Sequence, residues 1–189
     1  MKNLSDEILW KSLKEGNMEA FSILFKKFYA SLYNYGLKIS SGNIAITEDS
    51  LQDFFIYIYE HRQNLSDLET ISPYLFSSYR RFIINVLKKS QKNKLVRDID
   101  ENIIDIYFTP EEIITNQESK TFRNQNLAIL LNKLPKKQRE VIYLKYNCNL
   151  KTKEIAEVMN INYQSVVNHI HKAIKNLREE IKIIKLFNS

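Results

Sequence analysis

Residues 134–178 read LPKKQREVIYLKYNCNLKTKEIAEVMNINYQSVVNHIHKAIKNLR. This stretch predicts three helices, separated by asparagines at which a helix can stop. Asn147–Asn149 ends the first helix, because Asn tolerates the left-handed backbone of a tight turn. Asn160 ends the second helix in the same way, and Asn162 is a good N-cap for the third. A short helix, a tight turn and a longer amphipathic helix in this order predict a helix-turn-helix.

The third of these helices, from about Tyr163, has one apolar and one polar face. Its apolar residues recur at helical spacing and are Val166, Ile170, Ala173, Ile174 and Leu177. Asn and Gln can make bidentate bonds to adenine, and Lys can reach guanine or phosphate, so the polar face suits the major groove. The predicted DNA-contacting residues of this helix are Tyr163, Gln164, Asn168, His169, His171, Lys172 and Lys175.

The composition of the 189-residue chain favours an all-α fold. Three glycines and three prolines are too few for a protein rich in hairpins and linkers. A single cysteine, Cys148, cannot form an internal disulfide or a zinc site. The sequence shows neither an apolar run long enough to span a membrane nor a signal peptide, so a cytoplasmic location without membrane insertion is expected.

Charge is arranged in blocks along the chain. Residues 70–97 contain seven basic residues and no acidic one, whereas residues 98–112 contain six acidic residues and no basic one. From Lys133 onward, twelve basic residues oppose five acidic ones. Each basic block is expected to attract a polyanion such as nucleic acid. The acidic block would repel a polyanion and must either stay away from it or imitate it. We therefore expect two small helical domains, residues 1–97 and 123–189, joined by an acidic linker of residues 98–122.

The first predicted domain begins with a helix capped by Ser5, whose inner side holds Ile8, Leu9, Trp10 and Leu13. A second helix spans about Met18 to Ser40. A third is predicted from Thr47, as its cap, to His61. Its inward residues are Leu51, Phe54, Phe55 and Ile58, and its outward residues are Gln52, Asp53, Tyr57 and Glu60. The outer surface is acidic and aromatic, and composition alone leaves open whether it docks a protein or only faces solvent.

The fourth predicted helix runs from Pro73 to about Lys92. Its core stripe consists of Leu75, Tyr79, Phe82, Ile83, Val86 and Leu87. The residues expected to be exposed are basic or aromatic, namely Tyr74, Phe76, Arg80, Arg81, Lys88 and Lys89. Bases stack on rings and phosphates pair with Lys and Arg, so this helix is predicted to contact single-stranded nucleic acid. A solvated basic face is the alternative.

The predicted linker loses helical periodicity but is too apolar for a free tether, since it contains Ile103, Ile104, Ile106, Tyr107 and Phe108. It is expected to lie against another part of the protein. Nothing in the sequence supports catalysis or a cofactor: there is no phosphate-binding glycine loop, no metal-ligand cluster and no nucleophile with a paired base. A nuclease or recombinase would need clustered carboxylates, and the only dense ones lie in this linker.

Motifs along nearly the whole chain resemble those of bacterial RNA polymerase sigma factors of the extracytoplasmic-function (ECF) type. The resemblance rests on Glu15-Gly16-Asn17 with Ala20-Phe21, on Glu48 to Phe55, on Tyr74 to Lys89, on Leu134-Pro135 with Arg139-Glu140-Val141, on Glu154-Ile155-Ala156 and on Leu177-Arg178. It implies a promoter-specificity subunit without enzymatic activity. The alternative is a helix-turn-helix regulator that acts without polymerase.

The resemblance also implies roles for particular residues. Residues 1–97 would bind core RNA polymerase and melt promoter DNA, and the polymerase contacts would be Asp49, Gln52, Asp53 and Phe55. Residues 123–189 would read the upstream promoter element. Core RNA polymerase, promoter DNA and an anti-sigma factor are the implied partners. The acidic linker, with Asp98, Asp100, Glu101 and Asp105, would imitate nucleic acid in the channels of the polymerase.

Overall fold

The structure of the protein is a computed structural model that describes residues 5–92, 104–112 and 121–187. Its α-helices are α1 (Asp6–Lys14), α2 (Met18–Ile39), α3 (Ile44–Glu60), α4 (Ile71–Lys92), α5 (Thr121–Asn132), α6 (Lys136–Tyr146), α7 (Thr152–Met159) and α8 (Tyr163–Phe187). Two short 3₁₀ turns, Arg62–Asn64 and Pro110–Glu112, complete the regular structure of these ranges, which contain no strand. The predicted all-α class is confirmed.

The chain divides into two compact units. The first contains α1 to α4, and nearly all of the chain from residue 100 onward belongs to the second. The predicted domain limits at residues 97 and 123 stay predictions.

Side-chain caps fix where the helices of the first unit begin. Ser5 Oγ accepts a hydrogen bond from the Ile8 amide, and Asn17 Oδ1 accepts from the amides of Glu19 and Ala20. Asn43 Oδ1 accepts from the Ile46 amide at 3.0 Å, so α3 begins at Ile44 and the predicted start at Thr47 is wrong. Asn43 provides the cap one turn earlier.

Two further corrections concern the first unit. Helix α4 begins at Ile71 rather than Pro73. Pro73 lies in the first turn, where its lack of a backbone N–H removes no hydrogen bond within the helix. Ile8 is exposed although it was predicted to face inward. Leu9, Trp10 and Leu13 fill the buried side of α1 without it.

The core of the first unit is aromatic and aliphatic. Fully buried Leu32, Tyr35, Leu51, Tyr79 and Ile83 come from α2, α3 and α4. Trp10 Nε1 donates to the Ser66 carbonyl oxygen at 2.9 Å, which ties α1 to the connection between α3 and α4. This packing fixes which faces of α3 and α4 reach solvent.

Part of the predicted linker is built into the second unit. Ile104, Ile106 and Phe108 are buried, which confirms for this segment the prediction that the linker lies against other residues. The Phe108 amide donates to Asn132 Oδ1 at 2.8 Å, and Asn132 Nδ2 donates to the Phe108 carbonyl oxygen at 2.9 Å. This double hydrogen bond fixes the segment to the end of α5. Asp98, Asp100 and Glu101 of the predicted mimic lie outside the described residues.

The helix-turn-helix is confirmed, with its turns at the predicted asparagines. Asn149 and Asn160 have φ values of 55° and 51°. Asn162 Oδ1 accepts from the Ser165 amide at 2.7 Å and caps α8. Lys151 stands where a Ser or Thr cap is usual, but Glu154 Oε2 accepts from its amide at 2.6 Å. The start of α7 therefore has one of the two hydrogen bonds of a capping box, the one made by the Glu154 carboxylate.

Candidate nucleic-acid interface

Helix α8 presents a continuous polar surface. Gln164, Asn168, His171, Lys172 and Lys175 are all exposed, as predicted. On the opposite side Val166 and Ala173 are fully buried, which fixes the rotation of the helix. Gln164 Nε2 donates to Asn168 Oδ1 at 3.2 Å, so the amide side chains of two residues on successive turns of the helix are held together. Such a paired amide surface has the donors and acceptors needed at a base edge.

His169 lies at the border of the α8 surface. Partial burial lowers the pKa of its imidazole, and the nearby charges of Lys137 and Lys172 lower it further. The ring is therefore neutral at pH 7 and can both donate and accept a hydrogen bond. Lys137, at the start of α6, was not among the predicted contacts. Only the fold brings it close to α8.

The predicted melting surface on α4 is smaller than expected. Arg81 and Lys89 are exposed, and Tyr74 and Lys88 are half-buried. The predicted exposure of Phe76 and Arg80 is wrong, because they are only 1% and 5% exposed. The Phe76 ring packs 5.7 Å from that of Tyr35 in α2. Helix α4 is covered on two sides, so its exposed face is narrower than the sequence pattern indicated.

Aromatic rings from the end of α3 lie at the α3–α4 junction, in the same unit as Arg81, Lys88 and Lys89. The rings of Tyr57 and His61 stack with centroids 4.0 Å apart and planes 28° apart, and the Phe82 ring of α4 lies 6.5 Å from Tyr57. We call the first two residues the Tyr57–His61 pair. Neither was among the predicted nucleic-acid contacts. Their spacing of four residues, which makes side chains neighbours on a helix surface, was the sequence signal that could have predicted this contact.

The outer face of α3 carries three of the four predicted polymerase contacts. Asp49, Gln52 and Asp53 are exposed. Phe55 is only 4% exposed and packs 4.8 Å, centroid to centroid, from Phe25. The predicted inward orientation of Phe55 is confirmed, and its role as a polymerase contact stays a prediction. Its side chain belongs to the core that supports the exposed face.

The described residues contain no group of three or more His, Cys, Asp and Glu side chains that could hold a metal ion. Burial raises the pKa of the Cys148 thiol to about 12, so it is not a thiolate at pH 7. Within the same ranges, no helix is both long and apolar enough to cross a membrane.

Comparison with known proteins extends the resemblance. Residues 125–177 match the family Sigma-70, region 4. The ECF RNA polymerase sigma factor SigW of Bacillus subtilis (strain 168) is 24% identical over 181 residues, which cover 91% of this chain and 94% of that protein. The ECF RNA polymerase sigma factor SigM of the same organism is 24% identical over 157 residues, which cover 82% of this chain and 92% of that protein.

Two solved structures share the fold. One is CnrH in complex with the cytosolic domain of CnrY, with a TM-score of 0.61 and 18% identity over 94% of this chain and 97% of that one. The other is the sigma factor RpoE in complex with the anti-sigma factor NepR from Bartonella quintana, with a TM-score of 0.59 and 17% identity over 86% and 97%.

The fold and its surfaces define a two-unit, helix-turn-helix protein of the class that binds DNA. Over most of its length the chain is similar to RNA polymerase sigma factors of the ECF type, and residues 125–177 match Sigma-70, region 4.

Proposed function

We propose that this protein is a promoter-specificity subunit, which binds core RNA polymerase, recognises promoter DNA through both units and helps to open the duplex. The observation that supports this best is the pairing of two different nucleic-acid surfaces on one chain. A helix-turn-helix stands in the second unit, and a basic helix flanked by rings stands in the first. Duplex reading needs only the former, whereas strand separation needs the latter.

The roles divide between three helices. Helix α8 enters the major groove of the upstream element with Gln164 and Asn168 toward base edges and Lys172 toward base or phosphate. Helix α4 contacts the melted strand through Arg81, Lys88 and Lys89. The exposed face of α3, with Asp49, Gln52 and Asp53, binds the polymerase. Each role is supported by the exposure of these side chains, of which only Lys88 is half-buried.

The proposed partners include an anti-sigma factor. The two solved structures compared above are complexes, one with the cytosolic domain of CnrY and one with the anti-sigma factor NepR. A regulator that covers the same surfaces would keep this protein from the polymerase. The proposed place of action is the cytoplasm, where the polymerase works. Sigma factors are non-catalytic specificity subunits, and we propose no enzymatic activity for this chain.

Run-off transcription with purified core polymerase and a genomic promoter library tests the proposal. Promoter-dependent transcripts that require the added protein, and co-elution of the protein with core, are expected. Duplex binding that is sequence-specific without core and unaffected by it would instead favour a regulator that acts alone. If no promoter-dependent transcript forms and the protein does not co-elute with core, the proposed function is excluded.

The α8 surface gives the first mutational prediction. Asn168→Ala is expected to cost about 1 to 3 kcal/mol at one or two promoter positions and to relax the preference there, because a bidentate amide contact is lost. Lys172→Ala should weaken binding more evenly across sequences if Lys172 meets phosphate. Holoenzyme affinity for a set of promoter variants measures both changes, with exposed Lys26→Ala on α2 as the charge-matched control. Equal losses on every sequence for both variants would show that this surface does not read bases.

A further inference from the structure

Three nitrogen-bearing side chains form a cluster where α6 packs against α8. His169 and Lys172 are three residues apart on α8 and are therefore neighbours on its surface. Lys137 belongs to the first turn of α6. Both lysines are exposed, whereas His169 is half-buried. We call these three residues the Lys137–His169–Lys172 cluster.

The imidazole of His169 lies close to both lysines of the cluster. Partial burial lowers its pKa, and the charges of Lys137 and Lys172 lower it further. Because Coulomb interactions weaken with distance and are screened by water, both ammonium groups lie near the ring. The cluster therefore brings two positive charges to the ring, one from each helix.

The cluster lacks a negative partner. Within the described part of the chain, neither Lys137 nor Lys172 has an ion-pair partner, and no carboxylate is a cause of the lowered pKa of His169. The carboxylates on α6 and α8, together with that of Asp105, are buried or ion-paired, namely Glu140, Glu179 with Lys175, Glu180 with Lys133, and Asp105 with Lys136 and Arg139. An anion from outside the chain is thus the missing partner of the cluster.

The position of the cluster indicates which anion this is. Asn168 comes one residue before His169 and lies one helical turn from Lys172, on the surface proposed to read bases. In duplex DNA the phosphates border the groove in which the bases are read. A phosphodiester has two charged oxygens, which can accept hydrogen bonds from the ammonium groups and from the imidazole. A DNA phosphate beside the base contacted by Asn168 therefore fits the cluster.

We propose that the Lys137–His169–Lys172 cluster binds one phosphate of the upstream promoter element and that His169 takes up a proton as it does so. The negative phosphate favours the imidazolium form, whereas burial and the two lysines disfavour it in the free protein. The pKa of His169 is therefore higher in the complex than in the free protein. Promoter affinity then rises as the pH falls through the range between these two pKa values, and is level above and below that range. This inference rests on the proposed function, because it needs promoter DNA along α8.

The test measures the affinity of holoenzyme for a duplex promoter from the transcription library at pH 8 and pH 6, at constant ionic strength. His169→Gln keeps a neutral hydrogen-bonding side chain, and His169→Arg carries a permanent charge. Between pH 8 and pH 6 the affinity of wild type is expected to rise about threefold or more relative to that of His169→Gln, since a pKa difference of one unit corresponds to at most about tenfold. His169→Arg should bind more tightly than His169→Gln at pH 8 and share its smaller pH dependence. His61→Gln, in the first unit, is the histidine control and should keep the pH dependence of wild type.

Methylphosphonate substitutions, which replace one charged phosphate oxygen by a methyl group, locate the phosphate. At one position of the upstream element this substitution should reduce the pH dependence of wild type to that of His169→Gln. Lys137→Ala should lower the slope of log affinity against log salt by about one, whereas Lys26→Ala should leave it unchanged.

Three results would each overturn the proposal. They are an equal pH dependence of wild type and His169→Gln, an affinity of His169→Arg at pH 8 that does not exceed that of His169→Gln, and the absence of any methylphosphonate position that removes the difference in pH dependence. If wild-type holoenzyme gives no promoter-dependent transcript, the proposed function fails instead.

Discussion

Asp105→Ala is expected to destabilise the second unit by about 3 kcal/mol, because it leaves a buried arginine without its carboxylate. The Arg139 side chain is 6% exposed and donates from Nη2 to Asp105 Oδ1. Its Nε and Nη1 atoms are buried without a hydrogen-bond partner in the described part of the chain. The Tyr107 ring, 4.8 Å from the guanidinium carbon, adds a cation–π contact but accepts no ordinary hydrogen bond.

The size of this effect follows from the exposure of the two partners. Removing one partner of a fully buried ion pair costs about 3 to 5 kcal/mol, whereas an exposed pair contributes about 0 to 1 kcal/mol. The Asp105 side chain is 22% exposed, which places its loss at the lower end of the buried range. The second contact of Asp105, to Lys136 Nζ at 3.2 Å, adds little because the lysine is half exposed.

The single tryptophan makes the measurement specific. Trp10 lies in the first unit, so its fluorescence during urea unfolding reports that unit, while circular dichroism reports the helices of both. Asp105→Ala should shift the dichroism transition to lower urea and leave the Trp10 transition in place. Asp53→Ala, which removes an exposed carboxylate from α3, is the control and should change the free energy of unfolding by less than about 0.5 kcal/mol. An unchanged dichroism transition for Asp105→Ala would contradict the assigned role.

This ion pair also narrows the hypothesis that the acidic linker imitates nucleic acid. Asp105 is already paired within the second unit, and Ile104 and Ile106 on either side of it are buried. A role in the channels of the polymerase would require the segment to leave that position and Arg139 to lose its partner. The mimicry hypothesis is therefore better tested with Asp98, Asp100 and Glu101 alone.

The sequence predicted those features that depend on neighbouring residues. The asparagines at 149 and 160 end their helices in the left-handed conformation, and Asn162 caps α8, because these choices follow from local backbone and hydrogen-bond chemistry. The polar surface of α8 was predictable for the same reason. Its helical period places Gln164 and Asn168 opposite Val166 and Ala173 wherever the helix packs.

Features that depend on contacts between residues far apart in the sequence could not be predicted from local sequence patterns. Asp105 and Arg139 are 34 residues apart, and no local pattern pairs them. Phe76 and Arg80 of α4 looked exposed because a helix was assumed to bury one stripe, whereas α4 packs on two sides. The start of α3 was misplaced because Asn43 and Thr47 are both good caps, and the structure uses the earlier one.

Gly36→Ala is expected to destabilise the first unit by about 3 kcal/mol, through overpacking where α2 crosses α4. A Cβ atom at Gly36 would lie 2.3 Å from Tyr79 Oη and 2.9 Å from Thr47 Cγ2. Tyr79 cannot easily move, since it is fully buried and its hydroxyl donates to the Thr47 carbonyl oxygen at 3.4 Å and lies 3.3 Å from Ser50 Oγ. Ala is favoured over Gly in a helix by only about 1 kcal/mol, so the clash decides the sign.

Tyr79→Phe in the Gly36→Ala background separates overpacking from any other cause. On its own, Tyr79→Phe should cost about 1 kcal/mol, because a buried hydrogen bond is lost. In the double variant the closest clash disappears, so its loss of stability should be smaller than the sum of the two single losses by about 1 kcal/mol or more. Urea unfolding followed by Trp10 fluorescence gives all four values, with exposed Ser31→Ala on α2 as the control. Strict additivity would show that the Tyr79 hydroxyl is not the obstacle. Non-additivity would establish that the approach of α2 to α4, which sets the exposed face of α4, depends on the absence of a side chain at residue 36.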